Sequence, residues 1–304
     1  MKSPVTLYET LHGSRAYGLA REDSDWDYKG VLVGPASWYF GFKAAPEQLE
    51  LGPDHVLYEL RKFVRLAATS NPSIIEVLFA HEDDHTRLSA VGRRLLDARR
   101  AFLSRRVEKA FAGYAESQLG RIRTHRAWLL SPPDKPPERA EFGLPQKPAV
   151  SRDQLGAYEV LAGLDETPRG DLNFIRLLDR EKAFQAAKRT WAQYRHWVEH
   201  RNPKRAALEA QSGYDTKHAL HLIRLLRMSC EILETGEVLV RRPDREELLA
   251  IRDGIWSYDE LMVQAEALSA RSKAAAQGSS LPEAPDEETL EALCVSLIEE
   301  VLAS

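Results

Sequence analysis

Gly13-Ser14-Arg15-Ala16-Tyr17-Gly18, then Ser24-Asp25-Trp26-Asp27-Tyr28-Lys29-Gly30 and the apolar run Val31-Leu32-Val33, is the stretch around which the chain is organised. It joins a small-residue turn, two carboxylates at i and i+2, and a strand-like run. Alternate residues of a strand share a face, so a strand over Ser24–Val33 would project Asp25 and Asp27 together and Trp26 away from them. Two such carboxylates repel unless a cation lies between them, and hard oxygen ligands suit Mg²⁺ bridged to phosphates. A helix opening at the Gly13-Ser14 turn would offer backbone N–H groups to a phosphate.

Working outward, Leu7–His12 reads as the strand that delivers this turn, and residues 14–20 as a short helix. Pro35 to Pro53 is punctuated by Gly and Pro and reads as loop, with Trp38-Tyr39-Phe40 as its anchor. Asp54–Leu57 is a third strand candidate. Helical spacing follows over Tyr58–Thr69 and Ser73–Ala80, separated by Ser70-Asn71-Pro72. From about residue 88 the pattern is helical: Arg93–Leu130 as one long or broken helix, then 151–163, 171–200, 215–235, 244–253, 257–276 and 286–302. Six prolines in 131–149 exclude a helix there and imply an exposed connection. Asp215 and Asp286 are placed as N-caps and Gly236 as a C′ residue. Gln277-Gly278-Ser279-Ser280 reads as a flexible tract.

At 304 residues, 43% of them hydrophobic, the chain is long enough for two cored domains and too apolar for disorder. No apolar run approaches bilayer length and no secretory segment opens the sequence. Cys230 and Cys294 sit in apolar helical patterns, so buried thiols are expected rather than a disulfide framework or zinc site. The expectation is a soluble cytoplasmic protein. The net charge of −4 hides an asymmetry: residues 91–130 carry ten Arg or Lys against three acids, and 282–304 carry seven acids and no base. The first segment offers a basic face to a polyanion, or is simply a solvated helix surface.

Gly-Ser followed about ten residues later by Asp-x-Asp resembles the hallmark of the DNA polymerase β-type nucleotidyltransferases. The longer form quoted above is similar to one branch, the nucleotidyltransferases associated with RNA ligases in RNA-repair operons. Leu60-Arg61-Lys62-Phe63 through Asn71-Pro72 to Glu76 also resembles that branch, as does Arg201-Asn202-Pro203-Lys204-Arg205 through Gly213-Tyr214-Asp215-Thr216-Lys217-His218-Ala219. Residues 90–180 and 255–304 add little to the likeness. It implies an α+β fold: a small mixed-sheet catalytic domain over 1–88, then a mostly α-helical domain over 89–304 that completes the cleft and carries the Pro-rich loop.

The resemblance further implies metal-dependent transfer of NMP from an NTP, with ATP the expected donor, onto an RNA end, and pyrophosphate as leaving group. Two Mg²⁺ or Mn²⁺ ions would be held by Asp25, Asp27 and a third carboxylate. Asp54 is preferred as the third because an apparent helix starts soon after it; Glu59 is the rival. Gly13 and Ser14 would receive the β- and γ-phosphates, and Arg15 would add a charge-assisted contact or form a surface ion pair. Lys217, His221 and Arg224, at i, i+4 and i+7 with His218 beside them, form a basic stripe that would clamp the triphosphate, or else the wet side of an amphipathic helix. Lys204 and Arg205 would extend that electropositive cleft. Tyr17 is expected to pack, Lys29 to be solvated at the strand's end, Asn71 to cap, and Glu76 to serve as a buried pair partner. An RNA acceptor would lie along basic residues 93–126, with an RNA ligase as a further partner. The same core would also support NMP transfer to a protein hydroxyl or small molecule, or persist as a non-catalytic ligase-partner module.

Overall fold

The computed structural model describes residues 3–147, 172–201 and 203–304. They divide into two compact units, one formed by residues up to Arg123 together with Tyr214–Ser304, the other by Thr124–Gly213.

The first unit contains a mixed five-stranded sheet. Its strands are β1 (Val5–His12), β2 (Asp27–Val33), β3 (Gln48–Gly52), β4 (His55–Glu59) and β5 (His85–Leu88), in the spatial order β3-β4-β2-β1-β5. β1 runs antiparallel to β2 and β5, β4 is parallel to β2, and β3 is antiparallel to β4. The central strands have the apolar runs that a covered sheet requires: Leu7, Tyr8, Val31, Leu32 and Val33 are all buried. The edge strands β3 and β5 escape a hydrophobicity-based reading. Gln48-Leu49-Glu50-Leu51-Gly52 and His85-Thr86-Arg87-Leu88 are short and polar, as edges must be to discourage pairing with other chains. The stretch expected to be loop from Pro35 to Pro53 therefore holds β3, and also a short helix, α2 (Ser37–Phe40), after α1 (Gly13–Ala16). The expected helix over 14–20 is thus cut to a single turn, and the second strand starts at Asp27, which leaves Asp25 in the loop before it.

Against this sheet pack α3 (Leu60–Ala68), α4 (Pro72–Leu78), α5 (Ala90–Asp97) and the start of α6 (Arg106–Leu130). The break before α6, bridged by a 3-10 turn over Arg99–Phe102, resolves the expected long helix into two. In the second unit, the end of α6 precedes α7 (Leu172–His200) and α8 (Pro203–Ser212). The first unit resumes with α9 (Thr216–Thr235), α10 (Arg245–Arg252), α11 (Tyr258–Gly278) and α12 (Glu287–Ala303). The helix starts obey local chemistry. Asn71 Oδ1 accepts from Ile74 N ahead of Pro72 at the first helical position, and Asp215 Oδ1 accepts from His218 N. Ser257 and Glu260 form a capping box, and Asp286 accepts from Glu288 N and Thr289 N. Gly236, at φ +72°, ends α9 in the left-handed conformation expected of a C′ glycine. Gln277 and Gly278, expected in a flexible tract, finish α11 instead. The apolar face of α9 (Ala219, Leu222, Ile223, Leu226) joins the sheet and α3–α6 in one continuous core. Both cysteines are buried and free.

In the second unit, Arg139 of a 3-10 turn (Arg139–Phe142) grips Glu181 through two bonds of 2.8 and 2.7 Å, and His125, Trp128, Tyr194 and Trp197 cluster ring to ring. That turn is the helical element within residues 131–147. The helix expected over 151–163 and the side chains of Lys204 and Arg205 lie outside the described residues. Among the described residues, no helix is long and apolar enough to cross a membrane.

Candidate active site

β1 ends at His12 directly opposite Asp27, the first residue of β2. Gly13 follows at φ +67°, and a Cβ there would lie 2.1 Å from Asp27 Oδ2. Gly13 is therefore required twice, for its left-handed backbone and for the room that the carboxylate occupies. The Asp25 loop is secured by Arg15. Its Nη2 donates to the Ser24 carbonyl at 2.7 Å, its Nε donates to the Asp25 carbonyl at 3.1 Å, and its guanidinium lies 3.7 Å from the Trp26 ring centroid. Among the described residues Arg15 forms no ion pair, the alternative expected for it. It positions the loop that carries Asp25.

The parallel register of β2 and β4 places the rival third carboxylates at different points of the sheet. Tyr28 lies opposite His55, and Tyr28 N donates to the Asp54 carbonyl at 2.7 Å, so Asp54 stands beside Asp27 at the same end of the sheet. Glu59 lies opposite Leu32, five residues on, or about 16 Å at about 3.3 Å per residue. It is buried and fully engaged, accepting from Tyr39 Oη, Arg61 N and Arg61 Nε at 2.9–3.1 Å, and so caps α3.

The grouping is electrostatically uncomfortable. Partial burial, then the charges of Asp54 and Asp25, raise the pKa of the Asp27 carboxyl, while Lys29 and Lys217 only partly oppose them. A half-buried carboxylate flanked by two more acids is a donor set that fits a hard divalent cation, which would relieve the repulsion. Lys217, exposed in the first turn of α9, lies close enough for its charge to act on Asp27.

The rest of the expected basic stripe diverges from a phosphate clamp. Arg224 is buried; its Nη1 donates to Glu76 Oε1, and its guanidinium lies 3.8 Å from the Tyr17 ring centroid. A guanidinium so enclosed has no access to a ligand, because α9 turns this side of its stripe toward the core. His221 is partly buried. Burial first, then Arg224, Lys217 and His218, hold its imidazole well below the ordinary range, so it carries no charge for a phosphate near neutrality. His218 bonds Gln118 Oε1 through Nδ1 at 2.7 Å and lies 3.5 Å from Asp215. Of the four stripe residues, the structure sets Lys217 toward the carboxylates.

Beneath them lies a polar chain that the sequence only half disclosed. Lys29 is half-buried rather than solvated, and its Nζ donates to Ser73 Oγ. Ser73 Oγ is 3.1 Å from His12 Nε2, and Tyr17 Oη donates to Glu76 Oε2 at 2.5 Å. Burial, with Lys29 adding its charge, pushes His12 down to about 3, so it is neutral at ordinary pH. The roles expected for Asn71 as cap and Glu76 as buried pair partner are the ones observed. Lys29 had a signal: it sits two residues beyond Asp27 on one strand and so shares its face.

A nucleotidyltransferase-like arrangement of turn, paired acids and helical cover is the class these features suggest. The comparison with known families agrees: residues 2–128 match RlaP, the RNA repair pathway DNA polymerase beta family. The resemblance read in the N-terminal motif and in Leu60–Glu76 is thereby established over that segment, while the likeness at 201–219 lies beyond it. A relative from Bacillus subtilis (strain 168), the uncharacterized protein YcgL, is 38% identical over 77 residues, which is 24% of this chain and 29% of the relative. The match thus spans less than a third of that relative's length. No solved structure gives a significant match.

Proposed function

We propose that the protein is a metal-dependent nucleotidyltransferase that moves NMP from an NTP, ATP being the expected donor, onto an RNA end in RNA repair. The observation that carries this reading is the convergence of Asp25, Asp27 and Asp54 at one end of the sheet, beside the Gly13-Ser14 turn and under Lys217. Mg²⁺ or Mn²⁺, two ions per site, would neutralise the triphosphate and acidify the acceptor hydroxyl when bound. Asp25, Asp27 and Asp54 are the residues proposed to hold them. Ser14 Oγ and the Gly13 backbone would receive the terminal phosphates. Lys217 would add a point charge to the same tail, and Arg15 would keep the Asp25 loop in place. The acceptor oxygen forms its bond to the α-phosphorus as the bond to pyrophosphate breaks. Catalysis on this reading is positioning and charge neutralisation.

The catalytic domain is proposed as residues 1–88, with helical residues 89–304 completing the cleft. The RNA-repair description of the family supports an RNA acceptor over a protein or small-molecule acceptor, and the cytoplasm is the compartment proposed. The test is incubation with each labelled NTP, Mg²⁺ or Mn²⁺, and total RNA or total protein. Label in RNA, lost in Asp27→Asn, is expected; label confined to protein would overturn the acceptor, and no label at all would overturn the activity.

A further inference from the structure

Part of the basic character of residues 91–130 is met by acids within the molecule. Arg94 pairs with Glu300 and reaches Ser296, and Arg106 pairs with Glu287 at 3.0 Å, so α12 supplies acids to the basic segment. Arg100 pairs with Glu237, and Arg99 lies over the Phe79 ring. Three of the ten bases are thus matched by acids of the same unit.

Two of the cations left without an ion pair among the described residues, Arg105 and Lys109, share one groove. A cavity of about 840 Å³ lies between the start of α6, the end of α11 and the segment before α12. Arg105, Arg106, Lys109 and Lys273 line it, against Glu108 and Glu283. Among the described residues, Arg105, Lys109 and Lys273 enter no ion pair, and the Arg105 Nε–H is buried without a hydrogen-bond partner. A buried, unpaired guanidinium donor is costly unless a ligand completes it. The neighbouring Ser104 Oγ is likewise buried and unpartnered.

We infer that this groove binds phosphates of the RNA acceptor's backbone, away from the reacting end. The inference rests on the nucleotidyltransferase reading and adds to it the path of the acceptor. Three cations without an ion pair among the described residues, one of them with a buried unpartnered donor, fit a polyanion, and position argues for a polymer over a nucleotide. Ser272, next to Lys273, contacts Ser229 at 2.7 Å, and Ser229 is twelve residues, or about 18 Å, along α9 from Lys217. A nucleotide held at the carboxylates cannot span that interval, whereas an RNA strand can.

The test is binding of a fluorescein-labelled 12-nucleotide RNA to the full chain, without metal or nucleotide, followed by anisotropy across a salt series. The variants Lys109→Glu/Lys273→Glu and Lys109→Arg/Lys273→Arg change exposed side chains, and a melting curve confirms that each folds. The acidic pair should bind at least tenfold more weakly, with a salt slope shallower by about 1.4 for two lost phosphate contacts on a single strand. The arginine pair should bind as the parent does. Unchanged affinity in the acidic pair, or no RNA binding by the parent, overturns the inference. So does saturable pyrophosphate binding that displaces RNA and is lost in the acidic pair, which would assign the groove to free polyphosphate. Because no nucleotide is present, failure here leaves the catalytic reading standing, and failure of NMP transfer with RNA binding intact falls on that reading alone.

Discussion

Asp27 and Glu76 are both carboxylates in the same unit, and the structure treats them in opposite ways. Burial pushes Glu76 up, but Arg224, His12 and the Tyr17 hydroxyl outweigh it, and its carboxyl ends below the usual range. Each of its oxygens accepts a hydrogen bond, Oε1 from Arg224 and Oε2 from Tyr17. Asp27 has Asp25 and Asp54 beside it and only Lys29 and Lys217 in partial opposition, so its carboxyl ends above the usual range. A buried acid that is fully paired holds a fold together. A cluster of acids left short of positive charge fits a cation, and the hydrogen-bonded side chains of His12, Ser73 and Lys29 lie between the two carboxylates.

The contrast is broken most severely by substitution on the site side. Asp27→Asn should lower NMP incorporation by about 10³-fold or more, equivalent to about 4 kcal/mol of transition-state stabilisation, with the melting temperature retained. A variant as active as the parent would remove Asp27 from the chemistry. On the structural side, Glu76→Ala strands Arg224 as a buried, unpaired cation. It should cost about 3–5 kcal/mol, read from urea unfolding, as for other broken buried pairs.

The two carboxylates also give opposite slopes of stability with pH. Glu76, with its pKa depressed in the fold, contributes stability that is present above the ordinary carboxylate range and is lost as pH falls through its lower folded value. Asp27, with its pKa raised, favours the protonated state in the fold, so its contribution is present at low pH and is lost as pH rises through the raised value. Metal-free melting curves from pH 3 to 8 should therefore show Glu76→Gln flattening the acid limb. Asp27→Asn should gain stability relative to the parent as pH rises, by about 1–3 °C near neutrality. A loss in Asp27→Asn near neutrality would mean that its charge is compensated after all. A smaller effect is expected at Arg15: Arg15→Ala should raise the apparent KM for NTP a few-fold through loosening of the Asp25 loop, with no change in melting temperature beyond about 1–2 °C.

Much of this was legible in the sequence, and what was not has physical reasons. Caps such as Asp215, Asp286 and Gly236 are local chemistry, and the structure uses them as read. So is the Gly13-Ser14 turn, although its helix proved to be one turn long. The edge strands β3 and β5 were hidden because an edge needs no continuous apolar run. Asp25 and Asp27 were read as neighbours on a strand; they are brought together instead by a loop that Arg15 pins, a contact between residues ten apart that periodicity cannot report. The choice between Asp54 and Glu59 needed the parallel pairing of β2 with β4, which is tertiary information. The stripe on α9 is divided for a similar reason: its spacing is regular, but what lies opposite each position, Glu76 for Arg224 and Asp27 for Lys217, belongs to strands and helices far away in the chain.

The central claim concerns ion capture, and calorimetric titration of Mn²⁺ into the full chain with a non-hydrolysable ATP analogue reads it directly. The account predicts saturable, nucleotide-linked Mn²⁺ binding to the parent that is weakened at least tenfold in Asp27→Asn and in Asp54→Asn, and is unaffected in Glu59→Gln. Equal Mn²⁺ binding in the parent and in Asp27→Asn would contradict it.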